Sequence, residues 1–116
     1  MIYSSEDRDS ACIVKFDGDL SGNRDQELRR MFVELRRDEK SKVAADMSQV
    51  GYLDSAVLGT LVWGMKNLRE TGGDFRMFGL QSFVLDVFQI TRLDQAFRIF
   101  DSEAEVLASY AEASQA

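Results

Sequence analysis

Apolar positions recur along the chain with two periods, and the changes of period divide it into strands and helices. Residues 11–16 read Ala-Cys-Ile-Val-Lys-Phe, a β-rich run closed by Asp17-Gly18-Asp19. Residues 1–4 are placed to pair with it antiparallel across the polar segment 5–10, an N-terminal hairpin. Leu28, Met31, Phe32 and Leu35 then fall at i, i+3, i+4 and i+7, one stripe of a helix that Asn23 can cap. Residues 42–47, Lys-Val-Ala-Ala-Asp-Met, suit a short strand buried on both faces. A second helix opens at Asp54 with the stripe Val57, Leu58, Leu61, Val62, Met65 and Leu68. Thr71-Gly72-Gly73 stops it, because glycine enters the left-handed conformation of a helix end at little cost.

Residues 74–78 alternate polar and apolar as a strand, Gly79 turns the chain, and Ser82 can cap a helix with Phe83, Val84, Val87 and Phe88 inward. Phe97-Arg98-Ile99-Phe100 reads as a last short strand. Asp101 or Ser102 is then positioned to cap a C-terminal helix with Ala104, Leu107, Ala108 and Ala111 on one side. Strands alternating with helices from residue 42 onward call for a parallel sheet, and the hairpin adds an antiparallel edge. The expected fold class is α/β, a mixed, mainly parallel sheet of about five strands with about four helices. The whole chain, 1–116, is expected to form one domain.

Composition narrows the chemistry. A chain of 116 residues supports one hydrophobic core. The net charge of −6 argues against direct nucleic-acid binding, which relies on clustered Lys and Arg to release counterions. The chain has no histidine, which removes the commonest general base and the commonest metal ligand together. No window approaches the roughly 20 apolar residues of a membrane span, and the first residues lack a signal-peptide layout, so a cytoplasmic protein without membrane insertion is expected. Cys12 stands alone in an apolar run and reads as a buried, inert thiol.

The segment Val50-Gly51-Tyr52-Leu53-Asp54-Ser55-Ala56-Val57-Leu58-Gly59 carries the most information, since it sets an acid and a hydroxyl between a buried strand and a helix start. Two readings stand side by side: Asp54 or Ser55 simply caps the helix, or the turn is functional. A nucleophilic Ser55 needs a base, and without histidine only a carboxylate or lysine remains. No Gly-x-Ser-x-Gly elbow surrounds it, and no Gly-x-x-x-x-Gly-Lys phosphate loop is present. Catalysis, a metal site and a bound cofactor are therefore not expected. Trp63 and Met65 read as core or helix-face residues.

The order and spacing of Asp54-Ser55 after a strand, Leu58-Gly59, the helix stop Gly72-Gly73, the strand 75–78 and the terminal Phe97-Arg98-Ile99-Phe100-Asp101-Ser102 resemble the STAS domain, in the form found in bacterial anti-sigma factor antagonists. The resemblance implies a non-enzymatic switch. Its phosphoacceptor would be Ser55, and Asp54 would position that serine or contact the partner. The implied partners are an anti-sigma factor that is also a serine-protein kinase of the ATP-binding, histidine-kinase-like type, bound by the unphosphorylated form, and a PP2C-type serine phosphatase that resets the switch. The partner surface would include residues 48–56 and the loop 18–23, with Tyr52 and Leu53 as candidate anchors or as cover for the core. Two positions depart from the usual pattern: Ala56-Val57 stands where Ser-Gly or Thr-Gly is common, and Ser21 where an Asp is common, with Asp19 close enough to substitute. The same likeness fits a structural subunit of a membrane lipid-transport ATPase, which needs no phosphoacceptor, or a stressosome-type scaffold, in which the domain assembles into large particles.

Overall fold

A computed structural model describes residues 2–8 and 10–115; Met1 of the expected first strand and Asp9 of its connection lie outside the described residues. Five strands form one sheet in the order β1-β2-β3-β4-β5: β1 Tyr3–Asp7, β2 Cys12–Phe16, β3 Lys42–Asp46, β4 Asp74–Phe78 and β5 Ile99–Phe100. β1 runs antiparallel to β2, and every later pair is parallel. The mixed, mainly parallel sheet carries four α-helices, α1 Asp25–Arg37, α2 Ser55–Glu70, α3 Ser82–Ile90 and α4 Glu103–Gln115, as the alternation of strands and helices predicts.

The two faces of the sheet are covered unequally. Val14, Phe16, Val43, Ala45, Phe75 and Met77 point into a core closed by α1, α2 and α3. Ile13, Ala44 and Phe78 point the other way, against Val106 and Tyr110 of α4. This double burial explains the apolar run of β3 and extends to β4, where polar and apolar residues alternate as the sequence indicates. All five β4 residues are buried. Asp74 accepts hydrogen bonds from Arg69 Nε at 2.8 Å and Arg76 Nε at 3.1 Å, and Arg76 Nη1 donates to Ser109 Oγ at 2.8 Å. Alternation in β4 thus separates two buried faces, one apolar and one a paired ionic network beneath α4.

Other departures have local causes. β1 extends to Asp7, so Ser5, Glu6 and Asp7, expected in the turn, are strand residues on an edge where polar side chains keep their water. Asn23 does not cap α1: a single 3₁₀ turn, Gly22–Arg24, precedes that helix, and the Asn23 side chain accepts from the Ser21 hydroxyl instead. Ser82 is the first residue of α3 rather than its cap, and Phe83 points outward, 49% exposed, while Val84 and Phe88 are buried. Phe97 is buried but precedes the short β5. On α4 the face toward the sheet is Val106, Ser109 and Tyr110, whereas Ala104 and Ala108 are exposed. Ser102 Oγ accepts from Glu105 N at 3.3 Å, the expected cap. Cys12 is buried, and that desolvation pushes its thiol pKa up, in keeping with an inert side chain.

Candidate functional site

The loops that follow β2, β3 and β4 converge at one end of the parallel strands, and backbone and side-chain hydrogen bonds tie them together. Leu20 N donates to Tyr52 O at 2.9 Å, and Leu20 and Leu53 form an isolated parallel bridge. Gly51 N donates to Asp19 Oδ1 at 2.9 Å, and Gln81 Nε2 to Ser48 O at 2.9 Å. Gly22 N donates to Asp54 Oδ2 at 2.6 Å. Backbone donors that a loop would otherwise leave to water are thereby used to fix three loops against each other.

Asp54 is the pivot. Its backbone is extended, with φ −116° and ψ 179°, and its Oδ1 accepts from Val57 N at 3.0 Å, so it caps α2. Its other carboxylate oxygen holds Gly22. Both oxygens are therefore engaged by backbone N–H groups, and the carboxylate is committed to fixing the loop and helix start rather than to acting as a base for its neighbour. The capping reading therefore holds for Asp54, while Ser55, the first residue of α2, is exposed. Ser55 presents a hydroxyl at the positive end of a 16-residue helix.

The other predicted residues divide. Ala56 is exposed beside Ser55; a Cβ placed on Gly22 would come within 3.9 Å of the Ala56 methyl, so the two loops touch at that point. Tyr52 is 45% exposed, whereas Leu53 is 3% exposed and belongs to the core. Asp19 is exposed and spends one oxygen on Gly51, whose own Cβ position lies 3.3 Å from it. Ser21 is half-buried and paired with Asn23. The residue that sequence reasoning missed is Phe83, whose ring stacks on Tyr52 at 5.9 Å between centroids and 15° between planes. Its signal was present: α3 reads Ser-Phe-Val-Leu-Asp-Val-Phe-Gln-Ile, with more apolar residues than one buried face can take. Trp63 is partly exposed on α2, its ring edge-on to Phe32 at 6.2 Å, and Met65 is buried.

Among the described residues, no group of three or more His, Cys, Asp or Glu is arranged to hold a metal ion, and no helix is long and apolar enough to cross a membrane. What the fold and site define is a small α/β domain that offers a hydroxyl at a helix start within a hydrogen-bonded cluster of loops. The STAS domain family matches this chain over residues 3–106, and the chain belongs to that family. It is similar to the Listeria monocytogenes protein named anti-sigma-B factor antagonist, 34% identical over 61 residues, which cover 53% of this chain and 54% of that protein. The chain thus spans about half the length of the curated relatives it matches. Among solved structures it is similar to a candidate anti-sigma factor antagonist from Thermotoga maritima, with TM-score 0.89, 23% identity and 94% of each chain covered. It is also similar to the phosphorylated form of the Bacillus cell fate determinant SpoIIAA, with TM-score 0.71, 15% identity, and 92% of this chain and 97% of that one covered. At these identities the structural likeness establishes the fold.

Proposed function

We propose that this STAS domain is a non-enzymatic, cytoplasmic anti-sigma factor antagonist in a partner-switching pathway. With Ser55 unmodified it binds and sequesters an anti-sigma factor that is also an ATP-binding serine kinase. Phosphorylation of Ser55 releases that partner, and a PP2C-type phosphatase resets the switch. The observation that carries this reading is the exposed Ser55 hydroxyl at the head of α2, beside an acid whose two oxygens are already engaged. Such a hydroxyl is open to a partner's active site and has no activating base in Asp54. The likeness to a Listeria anti-sigma-B factor antagonist, and to a fold neighbour solved in phosphorylated and unphosphorylated forms, supports it.

Electrostatics explains why one phosphate suffices. It adds about −1.5 to −2 charges at a helix N-terminus, where the macrodipole favours an anion by roughly 0.3–1 kcal/mol, so the free domain tolerates it. A partner surface closed over Ser55 does not, because burying an unpaired dianion costs several kcal/mol. A penalty of about 4 kcal/mol corresponds to a roughly thousandfold loss of affinity. The switch therefore needs no refolding.

The test is a titration of the purified kinase against wild type, Ser55→Ala and Ser55→Glu, with phosphate transfer followed by intact mass. Wild type should gain one phosphate; Ser55→Ala should gain none and still bind; Ser55→Glu should bind at least tenfold more weakly. Equal binding of all three proteins with no phosphate gained would remove the switch and leave a constitutive structural subunit as the better reading.

A further inference from the structure

We propose that the outer face of α3 is the second half of the surface that meets the kinase, and that the kinase covers it with an apolar patch carrying a Lys or Arg opposite Asp86. This deepens the reading of Ser55 and rests on it. α3 is apolar on two sides. Val84 and Phe88 are buried in the core with Val87 packed partly against it, while Phe83 and Ile90, seven residues apart, are exposed on the other side. Phe83 is 49% exposed and Ile90 81% exposed, and these two with Tyr52 are three of only five large hydrophobic residues exposed among those described. A helix apolar around most of its circumference is normally covered on all sides, so the outer face has the character of an interface.

Two observations join this face to Ser55 and set the chemistry of what covers it. The Phe83 ring stacks on Tyr52, which sits three residues before Ser55, so α3 is joined to the loop that leads to Ser55 through an aromatic contact. Asp86 is exposed and lies three residues after Phe83 and four before Ile90, within the same helical face. Any surface that covers Phe83 and Ile90 must take Asp86 out of water, which is tolerable only when a cation meets it. Asp17 and Asp19, both exposed on the β2–α1 loop, extend the same sign of charge around the Ser55 end of the molecule. A partner with a basic rim around an apolar patch is complementary to this end, and charge of this kind speeds encounter.

The experiment uses the full chain and a purified kinase recognised by its transfer of one phosphate from ATP to Ser55, with affinity for the unphosphorylated chain measured by calorimetry. Phe83→Ser and Ile90→Ser should each weaken binding, Phe83→Ser by tenfold or more, the scale of an aromatic anchor. Asp86→Lys should weaken it more than Asp86→Asn, while Val33→Ser, an exposed apolar position on α1, leaves affinity unchanged. Ile90→Ser keeps the test decisive should Phe83→Ser unfold, which circular dichroism reads directly. Binding of both serine variants within twofold of wild type, with Ser55 still phosphorylated, overturns the α3 surface and leaves the Ser55 switch standing. A wild-type dimer that Ile90→Ser dissociates, with kinase affinity unaltered, assigns the face to a second copy and overturns the partner named here. Failure of any kinase to modify Ser55 overturns the switch and the α3 surface together.

Discussion

Asp54 makes two backbone contacts with one carboxylate, and substitution separates them. Asparagine caps a helix as well as aspartate does but offers a single acceptor oxygen, so Asp54→Asn should keep the 3.0 Å bond from Val57 N and lose the 2.6 Å bond from Gly22 N. The expected cost is about 1 kcal/mol, against about 2 kcal/mol for Asp54→Ala, which loses both. Amide exchange discriminates: Gly22 N–H should exchange faster in both variants, and the first turn of α2 only in Asp54→Ala. An unchanged Gly22 rate in Asp54→Asn would mean that the loop is held by something else. At this scale the sequence located the strand-to-helix turn, because an acid and a hydroxyl between strand and helix form a local pattern, and Ser55 is indeed the first residue of α2. It could not mark the contact of Asp54 with Gly22 or of Asp19 with Gly51, each 32 residues apart, since residue spacing carries no signal for a contact made only when loops converge. Tyr52 and Leu53, left open by the sequence, were divided by neighbours contributed by other elements: Leu20 buries one and Phe83 stacks on the other.

Elements were most legible where one periodic stripe had one place to go. Leu28, Met31, Phe32 and Leu35 of α1 and Val57, Leu61, Met65 and Leu68 of α2 are buried as their spacing requires. Elements with two apolar sides, or with a competing alanine stripe, were not: α3 hid an outward Phe83, and on α4 Leu107 packs against the sheet as expected, whereas the exposed Ala104 and Ala108 masked the buried face of Val106, Ser109 and Tyr110. Packing between elements also sets the sign of glycine substitutions. Helix propensity alone favours alanine over glycine by about 1 kcal/mol. At Gly64 on α2, however, a Cβ would stand 2.3 Å from the buried Phe32 ring of α1, and repacking of that kind costs about 1–3 kcal/mol. Gly64→Ala should therefore destabilise by about 1 kcal/mol, whereas Gly59→Ala, with nothing within 4 Å of its Cβ position, should stabilise. Urea denaturation of the pair checks both signs, and stabilisation at Gly64 would mean that α1 and α2 pack less closely than described.

The molecule as a whole depends on α4 to seal one face of the sheet, and Tyr110 is its bolt. The Tyr110 hydroxyl lies 2.6 Å from Val43 O and 2.8 Å from Asp74 O, and the Arg76 guanidinium sits 4.1 Å over its ring. Burial, followed by the nearby Asp74 charge, raises the phenol pKa well above its ordinary value. The folded state thus holds a proton that the unfolded chain gives up near pH ~10, so this contribution is complete below that pH and is lost as pH rises beyond it. Tyr110→Phe should cost about 1–2 kcal/mol at neutral pH, by leaving buried carbonyls without their donor, and the gap to wild type should narrow in melts above pH ~10. A gap that stays constant would locate the alkaline loss elsewhere. The Asp74–Arg76–Tyr110 network lies where the parallel strands begin, and the Ser55 loops lie where they end. The seal made by Tyr110 and the proposed recognition surface thus lie at opposite ends of one sheet, and Asp54, which fixes the loops and caps α2, serves stability at the Ser55 end. On the proposed function, a duplicated gene can change exposed loop residues such as Tyr52 and Ala56, and with them its partner, while the Tyr110 end of the fold stays as it is, which would let one cell hold several such switches insulated from cross-talk.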